Sequence, residues 1–466
     1  MQINIALVGL GFGGSFAAIY DQHPSISQVG LFDINSELTT SFAGKLAKAK
    51  AYSSFEEVLA DPDVDAVHLV TPIPLHAEQT VQVLQAGKHC ACTVPMATSL
   101  EDIERIATAV RVSGKKYMMM ETTLYTYQYL YVSDLKRKGE LGRIQFLRGS
   151  HYQDMSGWPD YWAGLPPMHY GTHAIAPLVA LADSRICRVV CFGSGTMEPK
   201  LMERYGNPYP VESALFEFEN GLKAEATRTL FETVRAYQEG MFVYGSEMSF
   251  EWGHGDDDDP YVTKQLPAEE GRRGRRTACE AISLPNPYHS LPPELQHFTV
   301  GRNYDPQNPQ ESLKIGAGAG HHGSHPHLVH NFVKSIIEEE IHTFHMQYAF
   351  AYVNARIKES NFWATFRIND KITCSPQTIE KGNFSYTFDA IHRNDEKAVL
   401  VKVFADPLEN CKKDELDKIK RAAMLANNYY DSHVFLFTKR RFSDYAAKQA
   451  PIDDAISFVE VERLKY

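Results

Sequence analysis

Two stretches of the chain place chemically capable residues at spacings that packing alone does not require. In the first, Gly9, Gly11 and Gly14 follow the apolar run Ile3 to Val8 at G-x-G-x-x-G spacing. A buried strand that enters a tight turn and then a helix N-terminus offers backbone N–H groups and a positive dipole end to a pyrophosphate. The first glycine permits the turn and the second lets the backbone approach the phosphates. The third is expected to let the helix pack closely on the strand. Asp33 ends a second apolar run, 19 residues past Gly14. A carboxylate there accepts both ribose hydroxyls of adenosine and repels a 2′-phosphate, and Ile34 follows in place of an arginine, so NAD is expected rather than NADP. The bland reading of Asp33 is a turn cap before Asn35. Gly9, Gly11, Phe12, Gly13, Gly14 and Asp33 are the expected cofactor contacts.

The second stretch runs from Gly157 to Pro177 and holds two of the chain's four tryptophans, with tyrosines, an acid and two histidines. Aromatic faces ringed by hydrogen-bonding groups suit a sugar ring. Trp158, Trp162 and His169 are therefore expected to contact substrate, against the plainer alternative of a proline-rich loop with buried aromatics. A denser histidine cluster lies at His321 to His330. His327 and His330, three apart on an expected helix, are close enough to share a metal. No cysteine and no well-spaced acid accompanies them, so substrate contact or capping is expected and no metal site.

The elements that position these residues follow from periodicity. Strand signals at Val29 to Asp33, Asp65 to Val70 and Lys88 to Val94 alternate with helical stretches, the pattern of a parallel, doubly wound sheet. Ligands bind at the carboxyl ends of such strands, so Thr71, Pro72, His76, Thr93 and Pro95 are expected around the nicotinamide half. After Tyr125 a helix is expected from about Gln128 to Lys138. Alternating strands at Val211 to Phe218 and Leu222 to Arg228 then fit an open, mostly antiparallel sheet with one face covered. The fold class is α/β, with a Rossmann domain over 1–122, an α+β substrate and oligomerisation domain over 123–340, and a further small α/β domain over 341–466.

Composition excludes several classes. Of 466 residues, 44% are hydrophobic and 23% charged, as in a soluble globular protein. No window approaches the ~20 apolar residues of a membrane span, and the N-terminus has no charged-then-apolar signal. Seven cysteines, scattered and without a C-x-x-C pair, fit free thiols in a reducing, cytoplasmic setting, with Cys90 and Cys92 in the core. Residues 341–466 carry 19 Lys and Arg against 17 Asp and Glu, which leaves −13 of the net −11 on the preceding body. An acidic body argues against a nucleic-acid partner. The runs Asp256 to Asp259 and Arg272 to Arg276 are expected to be solvated loops.

The glycine turn, Asp33, T-P-x-P-x-H at 71–76, A-G-K-H at 86–89 and x-V-P-M-A at 93–97 resemble the glucose–fructose oxidoreductase/inositol dehydrogenase (Gfo/Idh/MocA) family, from residue 1 to about 340. The resemblance implies a Rossmann domain joined to an open-sheet domain, oxidation of a sugar or cyclitol carbon with NAD, and a homo-oligomer. One departure matters. Where dehydrogenases of that family carry Glu-Lys-Pro, this chain reads Thr93-Val94-Pro95, and valine cannot relay the hydroxyl proton. The family's D-x-G-x-H-x-x-D helix start is here His169-Tyr170-Gly171-Thr172-His173, followed by Ala176, so the second histidine remains and both acids are gone. By this resemblance His173 is the expected general acid/base, being the side chain that titrates nearest neutral pH, and His325 a substrate contact. A glycosidase branch, the NAD-dependent α-N-acetylgalactosaminidases, is also similar: it lacks the lysine, matches Tyr170-x-Thr172-His173-x-x-x-Pro177, and has E-x-x-x-Y as at Glu121 to Tyr125. That likeness implies transient oxidation at C3 and elimination across C2, with Tyr125 as base and Tyr170 and His173 binding the sugar or moving protons. A dehydrogenase is preferred. The glycosidase, and a catalytically silent NAD-binding sensor, stay open.

The tail is expected to contain helices at Tyr348 to Glu359 and Asp414 to Asn427, with strands at Phe384 to His392, Ala398 to Phe404, His433 to Phe437 and Ala455 to Glu460. It is similar to a restriction-endonuclease-like domain. Asp389 and Lys402 fit the D…(E/D)-x-K pattern, but the second acid falls on Leu400, so a degenerate, non-catalytic domain is expected.

Overall fold

The computed structural model describes residues 2–338, apart from 256–257, 272, 302–303 and 314–319, together with six strands between 377 and 460 and Lys418. The chain divides into two compact units, Met1–Asn361 and Phe362–Tyr466. The expected boundary at 340/341 lies outside the described residues.

In the first unit, β1 (Ile3–Val8), β2 (Ile26–Phe32), β3 (Ala49–Ala51), β4 (Ala66–Leu69), β5 (His89–Thr93) and β6 (Tyr117–Met120) form one parallel sheet ordered β3-β2-β1-β4-β5-β6. The crossovers are α1 (Gly14–Gln22), α2 (Ser36–Ala43), α3 (Phe55–Ala60), α4 (His76–Gln85) and α5 (Leu100–Ser113). Their starts are set locally. Asn35, Ser54 and Ser99 each accept a hydrogen bond from a backbone N–H of the first turn they cap, and Gly114 closes α5 in the left-handed region. Both faces of the sheet are covered, so β1 reads as an unbroken apolar run. Ile3, Ile5 and Leu7 face one core while Ala6 and Val8 face the other. The strand order reverses between β1 and β4, which opens the crevice where α/β sheets bind ligands.

The second sheet is ordered β14-β13-β12-β11-β7-β10-β9-β8, from β7 (Ile144–Tyr152), β8 (Ile186–Ser194), β9 (Val211–Phe218), β10 (Lys223–Thr229), β11 (Gln238–Gly245), β12 (Met248–Glu251), β13 (Tyr261–Gln265) and β14 (Thr277–Ala281). Its pairs are antiparallel except β7 with β10. Helix α6 (Tyr127–Arg137) links the sheets, and α7 (Thr172–Ala182) lies on the covered face. A Cβ on Gly149 would stand 2.0 Å from the Ala174 carbonyl oxygen, so the strand must carry glycine where α7 crosses it. The opposite face is open and exposes Val190, Phe192 and Leu215.

One element departs from the expected division. The helix Gly320–Ile337, assigned from sequence to the substrate domain, packs through Leu328, Val329, Phe332, Val333 and Ile336 with Ile5, Leu7 and Phe16 of the first domain. The chain therefore returns to the first domain after building the second.

In the second unit, β15 (Gln377–Lys381) and β16 (Phe384–Phe388) form an antiparallel pair. β17 (Ala390–Arg393), β18 (Ala398–Phe404), β19 (Ser432–Thr438) and β20 (Ile456–Glu460) form a sheet in that order, antiparallel for the first pair and parallel for the others. The single strand expected over Phe384 to His392 is thus two strands in different sheets. Residue 389 and both expected helices, Lys418 aside, lie outside the described residues, and Lys402 pairs in register with Leu436.

Candidate functional site

The turn between β1 and α1 is built by close approaches. Gly9 has φ +92°, and a Cβ there would stand 2.4 Å from the Val70 carbonyl oxygen; one on Gly13 would stand 2.0 Å from that of Gly9. Gly11 differs, since a Cβ would meet nothing within 4 Å, which leaves open the space a pyrophosphate needs. The third glycine of the motif also admits a neighbouring helix: a Cβ on Gly14 would stand 2.3 Å from the Phe42 ring of α2. Asp33 accepts from Leu10 N–H at 2.6 Å and from Asn35 N–H at 2.8 Å. It is both the turn cap and a carboxylate with acceptor capacity to spare, because a carboxylate accepts about four bonds. These features fit an NAD molecule held by Gly9 to Gly14 and Asp33.

The loops after β4 and β5 are tied by His76, whose ring nitrogens lie 2.7 Å from the Pro95 carbonyl and 2.7 Å from the Thr71 carbonyl. His76 is buried, so its part is to fix these two loops from behind. The Thr71 hydroxyl is bonded to Gln79 and that of Thr93 to the Leu69 carbonyl, while Pro72 precedes the single turn Ile73–Leu75. The Val94–Pro95 peptide is cis.

His173 enters at the N-terminus of α7. Its Nδ1 lies 2.5 Å from Oε1 of Glu121, the residue directly after β6, and its Nε2 lies 3.2 Å from the Tyr170 hydroxyl. Both partners of the Glu121–His173 pair are buried. Thr123 donates to the same carboxylate oxygen through its backbone N–H at 3.0 Å and its hydroxyl at 2.5 Å. Burial would push the Glu121 carboxyl up, but the charge and hydrogen bond of His173 and the Thr123 donors hold it below the ordinary carboxylate range. Its Oε2 has no hydrogen-bond partner among the described residues.

Beneath His173 the second sheet presents a row of polar residues in register. Glu212 on β9 pairs with Arg228 on β10, Arg228 with His151 on β7, and His151 with Glu239 on β11. All are buried on the face that α7 covers. The next row inward is Ala214, Ala226, Gly149 and Met241, where small residues make room for the helix. Arg228 donates to the carbonyls of Tyr170, His151 and Thr229 and to Gln153 Oε1, and its guanidinium lies 5.2 Å from the centre of the Tyr170 ring. It thereby clamps the start of α7 to the sheet. Burial lowers its pKa to about 10. Burial, then the charge of Arg228, holds the His151 imidazole well below its ordinary pKa. Burial pushes the Glu212 carboxyl up to about 7 against the hydrogen bond from Met168 N–H.

Glu239 pairs with Nδ1 of His321 at 2.9 Å and accepts from the Tyr237 hydroxyl at 2.7 Å. The His321 ring lies 5.7 Å from that of His173 and 6.2 Å from that of Phe12, so it bridges the glycine turn and the second domain.

The remaining expected residues are spread around this centre. Trp162 is buried and meets the Tyr170 ring edge-on at 5.0 Å, while Trp158 stands half exposed against Trp162. Trp162 therefore backs Tyr170. His169 is buried in the single turn Pro167–Tyr170. His325 packs 4.4 Å from Phe16 and 5.9 Å from Phe12, on the cofactor side of the crevice and not the expected substrate side. His330 stacks on His23 of the loop after α1, and His327 lies 3.4 Å from Ser290, so these two do not converge. Among the described residues no group of three or more His, Cys, Asp or Glu is placed to hold a metal ion. Tyr125 packs against the core shared by the cofactor sheet and the helix Gly320–Ile337, and burial pushes its phenol up, the wrong direction for a base.

His151, Arg228, Tyr237 and Glu239 were not among the expected site residues, while Glu121 and His321 entered only as members of the E-x-x-x-Y motif and of the histidine cluster. The period-2 alternation of β7, β10 and β11 puts His151, Arg228 and Glu239 among small and apolar residues, and a charge at such a position was the signal available.

Comparison with known proteins adds the cofactor. Residues 3–121 match the Gfo/Idh/MocA family, described as an oxidoreductase family with an NAD-binding Rossmann fold. The first domain is an NAD-binding Rossmann domain. The chain is 28% identical over 200 residues to a glycosyl hydrolase family 109 protein of Porphyromonas gingivalis, covering 39% of this chain and 43% of that one. Levoglucosan dehydrogenase of Pseudarthrobacter phenanthrenivorans is 28% identical over 168 residues, covering 34% and 43%. The chain thus spans less than half the length of these curated relatives. A levoglucosan dehydrogenase structure, in complex with NADH and levoglucosan, superposes with a TM-score of 0.61 at 21% identity over 78% of this chain and 98% of its own. At that identity the likeness speaks for the fold. Among the described residues no helix is long and apolar enough to cross a membrane.

Proposed function

We propose that the chain is an NAD-dependent oxidoreductase that oxidises a secondary hydroxyl of a sugar, cyclitol or sugar derivative, with His173 as the proton acceptor. The observation that carries this is the buried Glu121–His173 pair, 2.5 Å apart at the carboxyl end of the sheet that holds the cofactor turn. When bound, NAD supplies the acceptor for the hydride that leaves the carbinol carbon, so that the alcohol becomes a carbonyl. Glu121 orients the imidazole and stabilises the charge it gains on taking the hydroxyl proton. Tyr170 lies against Nε2 and is the natural bridge from that nitrogen to the substrate oxygen. Trp158, Trp162 and His169 frame the substrate side. With Val94 in the place of the family's lysine, the proton falls to His173.

A glycosidase that restores its cofactor in every turnover is the second reading. It is favoured by the match to the family 109 protein and by the missing lysine. One experiment separates the two: incubation with NAD and a panel of levoglucosan, myo-inositol and aryl glycosides. Net NADH supports the dehydrogenase. Release of the aryl alcohol without net NADH supports the glycosidase. NAD binding with neither outcome sinks both and leaves a sensor.

A further inference from the structure

The helix Gly320–Ile337 packs on α1, and two histidines make the contact at its two ends. At the cofactor end, His325 lies 4.4 Å from Phe16 and 5.9 Å from Phe12 of the glycine turn. At the far end, the His330 ring stacks on that of His23, the residue that caps α1, with centroids 5.4 Å apart and planes at 28°. Catalysis makes no use of this second contact, yet it buries the His23 imidazole to 1% exposure.

The protons of the contact are fixed by its neighbours. The backbone N–H of Ser25 can only donate, and it meets Nδ1 of His23 at 3.0 Å, so that nitrogen carries no proton. The proton of His23 is then on Nε2, which donates to Nδ1 of His330 at 3.2 Å, and that nitrogen must be bare in turn. Both rings are therefore neutral. A proton added to Nδ1 of His330 would set N–H against N–H, and one added to Nδ1 of His23 would oppose the Ser25 amide.

The surroundings also oppose a charge. The Lys48 ammonium donates to the His23 carbonyl at 3.1 Å, and Lys334 follows His330 by one turn of the helix. The nearby acids are engaged elsewhere: Asp21 accepts from the Ala47 and Lys48 amides, and Glu338 pairs with Lys334 at 3.4 Å. Burial, then the charges of His330 and Lys48, lowers His23 to about 4. Burial, then Lys334, lowers His330 against the pull of Glu338. One turn back on the helix, burial and then His330 lower His327 to about 4.

We propose that the His23–His330 contact is an acid-released latch, which holds the helix Gly320–Ile337 against α1 and so keeps His325 beside the glycine turn that holds NAD. It governs retention of the cofactor, whichever reaction follows. An imidazole lowered in the docked state supports docking in full above its ordinary value of about 6.5, and that support is lost as pH falls toward the docked value. Once released, His23 and His330 each take up a proton that the docked helix refuses. Two such groups raise the released fraction on the order of a hundredfold or more between pH 7 and pH 5. The chain has a place to give. His321, His322 and Gly323 have φ of 47°, 49° and 76° ahead of the regular helix, and two non-glycine residues keep the left-handed conformation only while their surroundings impose it.

Hydrogen exchange of the full-length protein, read by mass spectrometry and corrected for the intrinsic pH dependence of amide exchange, tests the latch. Peptides of the helix should show an opening constant that rises about a hundredfold or more from pH 7 to pH 5, while those of α5 hold. The Kd for NAD, from calorimetric titration, should weaken over the same range. His330→Asn places an amide oxygen where Nδ1 stood, so it accepts from His23 and takes up no proton. Its opening and its Kd should match wild type at pH 7.5, and its rise at pH 5 should be smaller by about tenfold or more. His23→Asn keeps an acceptor for the Ser25 amide and loses the donor, so its helix should open more readily at pH 7.5 and respond less to acid. A flat opening constant, an unchanged rise in His330→Asn, or opening of α5 in step with the helix overturns the latch. Opening without weaker NAD binding overturns its link to the cofactor.

Discussion

The carboxylate of Glu121 and the imidazole of His173 come from different domains and meet at 2.5 Å in a buried site. The acid directly follows β6, the last strand of the cofactor sheet, and the imidazole lies in the first turn of α7, on the second sheet. The pair therefore exists only when the two sheets are docked.

Removing the charge of that acid tests the pair. Glu121→Gln keeps shape and loses the stabilisation of a protonated His173, so kcat should fall by about 10²–10⁴ while NAD affinity stays within about twofold. His173→Asn should fall as far, and the double variant no further, since the two act as one unit. Steady-state kinetics with NAD titrations checks this. Full activity in either single variant removes the assignment.

The glycines of the turn should separate by role. Gly9→Ala places a methyl against the Val70 carbonyl at φ +92°, so roughly 1–3 kcal/mol of stability should go with NAD binding. Gly11→Ala meets nothing in the protein, so its melting temperature should hold while its Kd for NAD rises about tenfold or more. Calorimetric titration beside thermal melts distinguishes them, and a Gly11→Ala protein with unchanged affinity would place the phosphates elsewhere.

Legibility in the sequence followed distance along the chain. The β1–turn–α1 segment and Asp33 are local patterns, and the turn, parallel sheet and NAD-binding fold were readable from them. Glu121 and His173 lie 52 residues apart, and no local spacing announces such a contact. Alternation could put His151, Arg228 and Glu239 on one face, but only the pairing register makes them neighbours. Gly14 shows the same limit within a motif: the glycine was readable, but the Phe42 ring of α2 that fills the space above it comes from a segment no local spacing points to.

Glu212 should shape the pH dependence of stability. With its folded pKa raised to about 7, the native chain holds a proton that an unfolded glutamate releases near 4.3. Its contribution is therefore complete below the unfolded value and is lost as pH rises through about 7, at a total of roughly 3 kcal/mol. Glu212→Gln should remove that slope. Melting temperatures of both proteins from pH 5 to 8 should converge at the acid end and diverge in favour of the variant at the alkaline end. Parallel curves would show that this carboxyl does not titrate in the range.

Arg228 should be irreplaceable for geometry. Arg228→Ala strips donors from three buried carbonyls and from Gln153, at a cost of roughly 3 kcal/mol or more. Arg228→Lys should recover little, because a point charge cannot span acceptors on β7, β10 and the start of α7 as the planar fork does. Chemical denaturation measures the loss. A lysine variant as stable as wild type would mean the clamp is unimportant.

Glu212, Arg228, His151 and Glu239 occupy a single register across four neighbouring strands. Sliding any of these strands by one residue would turn its member to the opposite face. The row is therefore inherited whole or not at all: an insertion within a strand erases it, while insertions between strands leave it untouched. Loops at the strand ends can therefore change in length and sequence without moving this row of buried polar side chains.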